Sequence, residues 1–125
     1  MELTIYKCNL CGNVLIPAID SGVVPVCCGA TMESLVAGIE NEKHVPIIER
    51  DPDGKHVVVK VSTLTHPMEE EHFIQFIVLM RGDRFGVVNL KPGDEPQAKF
   101  AFDDNTGPFV AYEFCNLHGL FIGKI

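Results

Sequence analysis

The sequence predicts a mainly β protein, in which a small cysteine-rich domain is followed by a β-sandwich. Four of the five cysteines lie in two close pairs within residues 1–36. A segment this short cannot bury a core large enough to fold alone, so a cross-link is expected. Further along, short runs of β-branched and aromatic residues alternate with turns rich in Gly, Pro and Asp, a pattern typical of a sandwich.

The first domain is predicted to cover residues 1–36. Two short strands are expected at Val14–Ile16 and Val23–Val26, on either side of turn-forming residues at 20–22. Residues 37–41 are predicted to be a linker.

The second domain is predicted to span residues 42–125. Phe73–Met80 is long and apolar enough to be a buried helix, but its Phe, Ile and Val content favours a strand. The sequence predicts six strands in this domain: His56–Ser62, Phe73–Met80, Arg84–Leu90, Ala98–Phe102, Phe109–Phe114 and Leu120–Ile125.

Charge and hydropathy exclude several classes of function. The formal net charge of −7 disfavours a nucleic-acid partner, because phosphate binding needs a basic surface. An anionic substrate would need a local positive group to attract it. No apolar stretch is long enough to cross a membrane. The first residues lack a basic segment followed by an apolar run, so a cytoplasmic location is expected.

The four N-terminal cysteines form a candidate metal site. Cys8 and Cys11 have C-x-x-C-G spacing, and Cys27 and Cys28 precede another glycine. Four thiolates suit a tetrahedral zinc or iron, and the spacing does not decide between the two metals. A thioredoxin-like redox pair would need a βαβ context that is missing here. A strained disulfide between the adjacent cysteines is another alternative.

Four histidines and one cysteine form a second candidate site: His44, His66, His72, Cys115 and His118. Imidazoles with one thiolate suit iron, copper or zinc. Five ligands leave one position of an octahedral metal open, as catalysis requires. His56 has no patterned partner and is given no role. The acidic residues 69–71 are interpreted as a solvated turn.

These motifs resemble the desulfoferrodoxin family over nearly the whole chain. The two cysteine pairs are similar to a desulforedoxin domain. The remaining motifs are similar to superoxide reductase: Glu42-Lys43-His44-Val45-Pro46, His66-Pro67-Met68-Glu69-Glu70-x-His72, Lys91-Pro92-Gly93 and Cys115-Asn116-Leu117-His118-Gly119.

The resemblance implies two irons per chain and an immunoglobulin-like sandwich as the second domain. One iron would be held by the four N-terminal thiolates. The other would have four histidines in a plane and Cys115 as its axial ligand. Superoxide would bind the vacant position of the ferrous form and leave as hydrogen peroxide, without release of dioxygen. An external donor such as rubredoxin would restore the iron, and a homodimer is expected.

The resemblance also gives roles to Lys43 and Glu42. Lys43 would attract superoxide and stabilise charge on the bound product, which answers the problem of the negative net charge. Glu42 would occupy the sixth position in the oxidised enzyme. The chain departs from the family at Phe114, where Tyr is common, and has no Trp after residue 119. The loop before Phe109 is also longer than expected.

Three other functions are compatible with the motifs. The chain could be a non-enzymatic iron electron carrier whose second metal is structural. It could be a binding module with zinc in both sites, without redox chemistry. It could also be a peroxidase that uses Cys115 as a thiol nucleophile.

Overall fold

The computed structural model describes residues 2–38, 44–62 and 66–125. Contacts divide the chain into two compact units, an N-terminal unit of residues 1–36 and a C-terminal unit of residues 37–125. All the regular elements of the described residues are strands. None of those residues belongs to a helix that could span a membrane.

The N-terminal unit contains five strands of two residues each: β1 Tyr6–Lys7, β2 Val14–Leu15, β3 Val26–Cys27, β4 Ala30–Thr31 and β5 Glu33–Ser34. Strand β1 pairs with β2 and with β5, and β3 pairs with β4. The buried residues Tyr6, Cys8 and Met32 form a small core, against which Cys27 packs. So small a core agrees with the expectation that this segment needs a cross-link.

The prediction of a strand at Val23–Val26 is wrong for most of its length. Only Val26 is in a strand, and it pairs with β4 and not with the Val14 segment. Pro25 has no N–H group to donate to a sheet, which explains why the strand starts after it. Cys28 and Gly29 then turn the chain back with φ of 54° and 74°. Two residues of positive φ are what a tight β-hairpin turn requires.

The C-terminal unit contains seven strands in two antiparallel sheets: β6 Pro46–Arg50, β7 His56–Val61, β8 Ile74–Arg81, β9 Arg84–Asn89, β10 Gln97–Ala101, β11 Val110–Cys115 and β12 Gly119–Lys124. One sheet has the order β10-β7-β6 and the other has the order β12-β11-β8-β9. The six predicted strands are therefore confirmed to within one residue at each end. Strand β6 was missed, because it is a short edge strand that begins with proline and ends with two charged residues.

The core of the C-terminal unit lies between the two sheets. One sheet contributes Ile48, Val57 and Val59, and the other contributes Ile77 and Leu79. Where β12 passes close to β6, a side chain at Gly123 would collide with the backbone oxygen of Pro46. The two inner faces confirm the predicted fold class, which is mainly β with an immunoglobulin-like sandwich.

Candidate metal centres

The N-terminal unit brings its four cysteines together. The sulfur, or Sγ, atoms of Cys8, Cys11, Cys27 and Cys28 all lie within 4.8 Å of one another. Those of Cys11 and Cys27 are 3.6 Å apart, and those of Cys27 and Cys28 are 4.0 Å apart. In a tetrahedral site with metal–sulfur bonds of about 2.3 Å, the sulfurs are about 3.8 Å apart. The four thiols therefore fit a tetrahedral metal.

Backbone geometry points donors at this cluster. The backbone N–H of Cys11 donates to Cys8 Sγ at 3.5 Å, and that of Gly12 donates to the Cys8 carbonyl at 2.9 Å. Gly12 has φ of 83°, a conformation that favours glycine. The Asn13 side chain donates to Cys27 Sγ at 3.8 Å. The glycine after the C-x-x-C pair therefore closes the loop around the sulfurs.

The ionisation of the four thiols also requires a cation. Backbone N–H groups of Cys11 and Leu10 lower the pKa of Cys8 to about 6. Hydrogen bonding with the neighbouring thiols Cys11 and Cys8 raises the pKa of Cys28 to about 12. The pKa of Cys27 is also raised, chiefly by Cys11. Because Cys27 and Cys28 resist ionisation beside the other sulfurs, a metal ion is needed to hold them as thiolates.

The alternative of a disulfide between the adjacent cysteines does not fit this geometry. A disulfide bond is about 2.05 Å long, far shorter than the separation of the Cys27 and Cys28 sulfurs. All five cysteines are free thiols.

The C-terminal unit brings together the second predicted set of residues. One donor atom from each of His44, His66, His72, Cys115 and His118 lies within 4.8 Å of all the others. Each imidazole is adjacent to two others, with centroid distances of 4.7–5.0 Å. The four histidine side chains therefore form a closed cycle. Cys115 Sγ lies 3.6 Å from His118 Nδ1. We call this set the histidine–cysteine cluster.

The sandwich places these residues at one end because they flank strand ends that meet there. His44 precedes β6, and His72 precedes β8. Cys115 ends β11, where it pairs with Ile74 at the start of β8 and with Gly119 at the start of β12. His118 lies in the turn between β11 and β12, and Gly119 has φ of 91°. That backbone conformation lets a short loop carry both Cys115 and His118.

Asn116 positions His72, a role that the sequence did not indicate. Its side-chain oxygen accepts a hydrogen bond from the Phe73 N–H at 2.9 Å. Its side-chain nitrogen donates to the Glu71 carbonyl at 3.1 Å. Asn116 therefore binds the residues on both sides of His72. Only its position between Cys115 and His118 could have drawn attention to it.

Two of the imidazoles, those of His66 and His72, present unpaired Nε2 atoms to the cluster. With its proton on Nδ1, His66 donates to the Pro67 carbonyl at 2.7 Å, which leaves the Nε2 lone pair available. The Nε2 atoms of His66 and His72 are buried and make no hydrogen bond with the described residues. Buried nitrogen atoms of this kind are costly unless they bind something, so they fit metal ligation.

Electrostatics favour a cation at the centre of the cluster. Burial lowers the pKa of His66, and the neighbouring His72 and His118 lower it further, so its imidazole stays neutral. Burial raises the pKa of Cys115, while backbone N–H groups of Leu117 and His118 act against that effect. A buried Cys115 thiolate beside the neutral His66 imidazole would need a nearby cation to be stable.

The five residues of the histidine–cysteine cluster differ in how deeply they are buried. His44, His66 and Cys115 are buried, His72 is intermediate and His118 is exposed. The site therefore reaches the surface beside His118.

The sequence singled out other residues besides the two clusters. Glu42 and Lys43 fall outside the described residues. His56 starts β7 and contacts Asp53, outside the cluster. The acidic residues 69–71 are exposed at a turn.

Comparisons with known proteins agree over most of the chain. A family model for desulfoferrodoxin matches residues 37–124. The desulfoferrodoxin of Syntrophotalea carbinolica is 44% identical over 122 residues, covering 95% of this chain and 94% of that protein. The superoxide reductase of Pyrococcus horikoshii is 34% identical over 101 residues, covering 69% of this chain and 88% of that protein.

A solved structure has the same architecture. The superoxide reductase from Treponema pallidum superposes with a TM-score of 0.80 at 31% identity, covering 98% of this chain and 97% of that one. The family model and the relative from Syntrophotalea carbinolica together cover both units of the chain. This chain therefore belongs to the desulfoferrodoxin family.

Proposed function

We propose that this protein is a superoxide reductase. Superoxide takes up one electron and two protons and leaves as hydrogen peroxide, and no dioxygen is released. The observation that carries the proposal is the histidine–cysteine cluster, in which four imidazoles and one buried thiol converge at a site that reaches the surface. The named superoxide reductases among the relatives and the solved structures support it.

The chain carries two iron sites, one in each cluster of donor residues. We propose the cysteines of the N-terminal unit as ligands of one iron, and His44, His66, His72, Cys115 and His118 as ligands of the catalytic iron. When bound, the catalytic iron supplies one-electron reduction of superoxide. Because the five donors are one fewer than an octahedral metal takes, the ligand set leaves room for a substrate.

The proposed ligands have different tasks. As metal ligands, the four imidazoles would be neutral and would add no charge to the site. The thiolate of Cys115 adds one negative charge and donates electron density, as a thiolate ligand of haem does. Because Cys115 is buried, water would not compete with its sulfur for the iron. The exposed side of the cluster, at His118, admits superoxide and the protons that come from solvent.

We propose Lys43 and Glu42 as catalytic residues beside this site. Both precede the buried His44 in sequence, and successive Cα atoms are only about 3.8 Å apart. A lysine at that position attracts an anion to a chain whose net charge is −7. The Glu42 carboxylate would be available as a further oxygen donor to the oxidised iron.

Replacing Lys43 by Ala is expected to slow the reaction with superoxide about tenfold at low ionic strength, because the local attraction is lost. The difference should shrink as salt is added, since salt screens the interaction. Stopped-flow rates at several ionic strengths measure both effects.

The matched control is Lys55→Ala, which removes the same charge from the turn at the far end of the sandwich. The Lys55 variant should react at the wild-type rate. A Lys43 variant as fast as the Lys55 variant at every ionic strength would refute the attraction.

The domain assignment is also a proposal. We infer that residues 1–36 are a desulforedoxin-like iron domain, that 37–41 are the linker and that 42–125 are the superoxide reductase domain. The division of contacts after residue 36 and the family match from residue 37 support it. Gly38, within the linker, hydrogen-bonds to β12 and so anchors that segment to the sandwich.

The partners follow from the same proposal. We infer that an external donor such as rubredoxin supplies electrons, that the location is cytoplasmic and that the protein is a homodimer. Five free thiols favour a reducing compartment. Exposed apolar side chains in the N-terminal unit, among them Leu10, Ile19 and Val23, favour a second copy as partner. Sedimentation as a monomer at micromolar concentration would contradict the dimer.

The experiment that tests the function is metal analysis of the purified protein with visible spectra before and after superoxide is added. We expect iron in both sites, a thiolate-to-iron band that forms as the second iron is oxidised, and hydrogen peroxide without dioxygen. Zinc in both sites, or iron that superoxide leaves unchanged, would favour the binding module or the electron carrier instead.

A further inference from the structure

A phenylalanine ring lies flat against one imidazole of the histidine–cysteine cluster. The ring centroids of Phe121 and His44 are 4.7 Å apart, and the two planes differ by 15°. The neighbouring imidazoles instead meet edge to face, at angles of 62–79°. Both stacked side chains are buried, with 8% of Phe121 and 3% of His44 exposed. The plane of the His44 ring is therefore nearly parallel to that of a ring largely shielded from solvent.

The backbone of Gly38 is hydrogen-bonded to the residues on either side of Phe121. The Gly38 N–H donates to the Leu120 carbonyl at 2.9 Å, and the Ile122 N–H donates to the Gly38 carbonyl at 3.1 Å. These two hydrogen bonds fix the position of the Gly38 backbone beside Phe121 on β12. A Cβ atom at Gly38 would lie 3.1–3.2 Å from two ring carbons of Phe121, closer than most real contacts. The absence of a side chain at Gly38 thus gives the Phe121 ring the room it occupies.

The other histidines are held in place by different contacts. A hydrogen bond from Nδ1 to the Pro67 carbonyl fixes the ring of His66. Asn116 binds the backbone on both sides of His72. A metal ligand must keep its ring orientation, because the donor lone pair lies in the ring plane.

We propose that Phe121 is a positioning residue that sets the plane of the His44 imidazole for metal binding, and that Gly38 is the backbone support of Phe121. This inference rests on the proposed role of His44 as a ligand. A flat aromatic surface restricts rotation of the imidazole about its bond to Cβ, since a rotated ring would lose the stacked contact. The donor nitrogen of His44 is then aligned before the metal arrives, which lowers the entropic cost of binding.

The test is the affinity of the whole chain for Co²⁺, followed by its visible spectrum. Phe121→Leu removes the planar ring at similar volume and should weaken binding at the histidine–cysteine cluster about tenfold, with altered Co²⁺ bands. Phe121→Tyr keeps the plane and should bind within about twofold of wild type. The four-cysteine site of the same chain, with its own thiolate bands, should bind unchanged in each variant.

Two further variants separate positioning from a general loss of stability. Phe102→Leu changes a ring that packs on Phe109 at the far end of the sandwich, and its Co²⁺ affinity should stay at the wild-type value. Gly38→Ala displaces the Phe121 ring without removing it and should weaken binding by a smaller factor than Phe121→Leu. The Gly38 variant decides the matter if the leucine variant does not fold.

Wild-type Co²⁺ affinity and spectrum in Phe121→Leu would overturn the proposal, and so would the same result in Gly38→Ala if the leucine variant does not fold. An equal loss of affinity in Phe102→Leu would do the same, because a distant ring would then matter as much. Failure of the proposed function is a separate result, since it would show as wild-type protein that does not consume superoxide, whatever its Co²⁺ affinity.

Discussion

Replacing Cys115 by Ser is expected to lower the rate of superoxide reduction by more than about 100-fold. Changes in residues that only support metal ligands typically cost about 10–100-fold in activity, and loss of a proposed ligand should cost more. Serine has nearly the same shape but is not ionised near neutral pH, so it cannot supply the negative charge of a thiolate. Because Cys115 is fully buried, no solvent group takes its place. Stopped-flow kinetics with superoxide measure the loss.

The visible spectrum gives a second readout of the same change. The thiolate-to-iron band of the oxidised protein should disappear in Cys115→Ser, while the bands of the four-cysteine site remain. Cys11→Ser is the matched control, because it should alter the four-thiolate bands and leave the Cys115 band in place. A Cys115 variant that kept both its band and its rate would show that Cys115 is not a ligand.

Cys115 also distinguishes a superoxide reductase from a thiol peroxidase. A nucleophilic cysteine needs a lowered pKa and access to solvent. Cys115 has neither, since burial raises the pKa of its thiol and leaves none of the residue exposed. Rapid alkylation of Cys115 in the metal-loaded protein would nevertheless favour the peroxidase.

The sequence was sufficient to predict both clusters of candidate metal ligands. Paired cysteines, the spacing of His66 and His72 and the C-x-x-H pattern at Cys115 each place two donors on one short loop. The strand pattern of the second domain then explains how separate loops meet. In an antiparallel sandwich, alternate loops lie at the same end, and the structure brings together the side chains on them.

The contacts that hold the ligands could not be predicted in this way. Asn116 acts through hydrogen bonds to backbone groups more than 40 residues away, and no local pattern reports such contacts. The stacking of Phe121 on His44 likewise depends on how β12 approaches the segment before β6. Strand β6 itself was missed, because Pro46 and the charged residues at its end obscure the alternation that marks a strand.

Glu113 is a buried acidic residue that belongs to none of the sequence motifs. It lies on β11 with none of its surface exposed, and its carboxyl oxygens make no hydrogen bond with the described residues. Burial raises its pKa from 4.5 to about 9, so the folded protein holds this side chain as a neutral acid at pH 7. The unfolded chain would release the proton near pH 4.5. Between these two values the folded state binds more protons, so stability falls as pH rises.

Replacing Glu113 by Gln should remove this loss of stability with rising pH, because glutamine is neutral at every pH and is close in shape to glutamate. Each pKa unit corresponds to about 1.4 kcal/mol, so the free energy of unfolding of the variant should gain about 3 kcal/mol on wild type between pH 4.5 and pH 7. Denaturant unfolding of both proteins, iron-loaded, from about pH 4.5 to about pH 9 measures the difference. Glu95→Gln, at an exposed position, is the control and should show a constant difference. A constant difference for Glu113→Gln as well would mean that the buried carboxyl is already ionised at neutral pH, which would require a cation or water beside it.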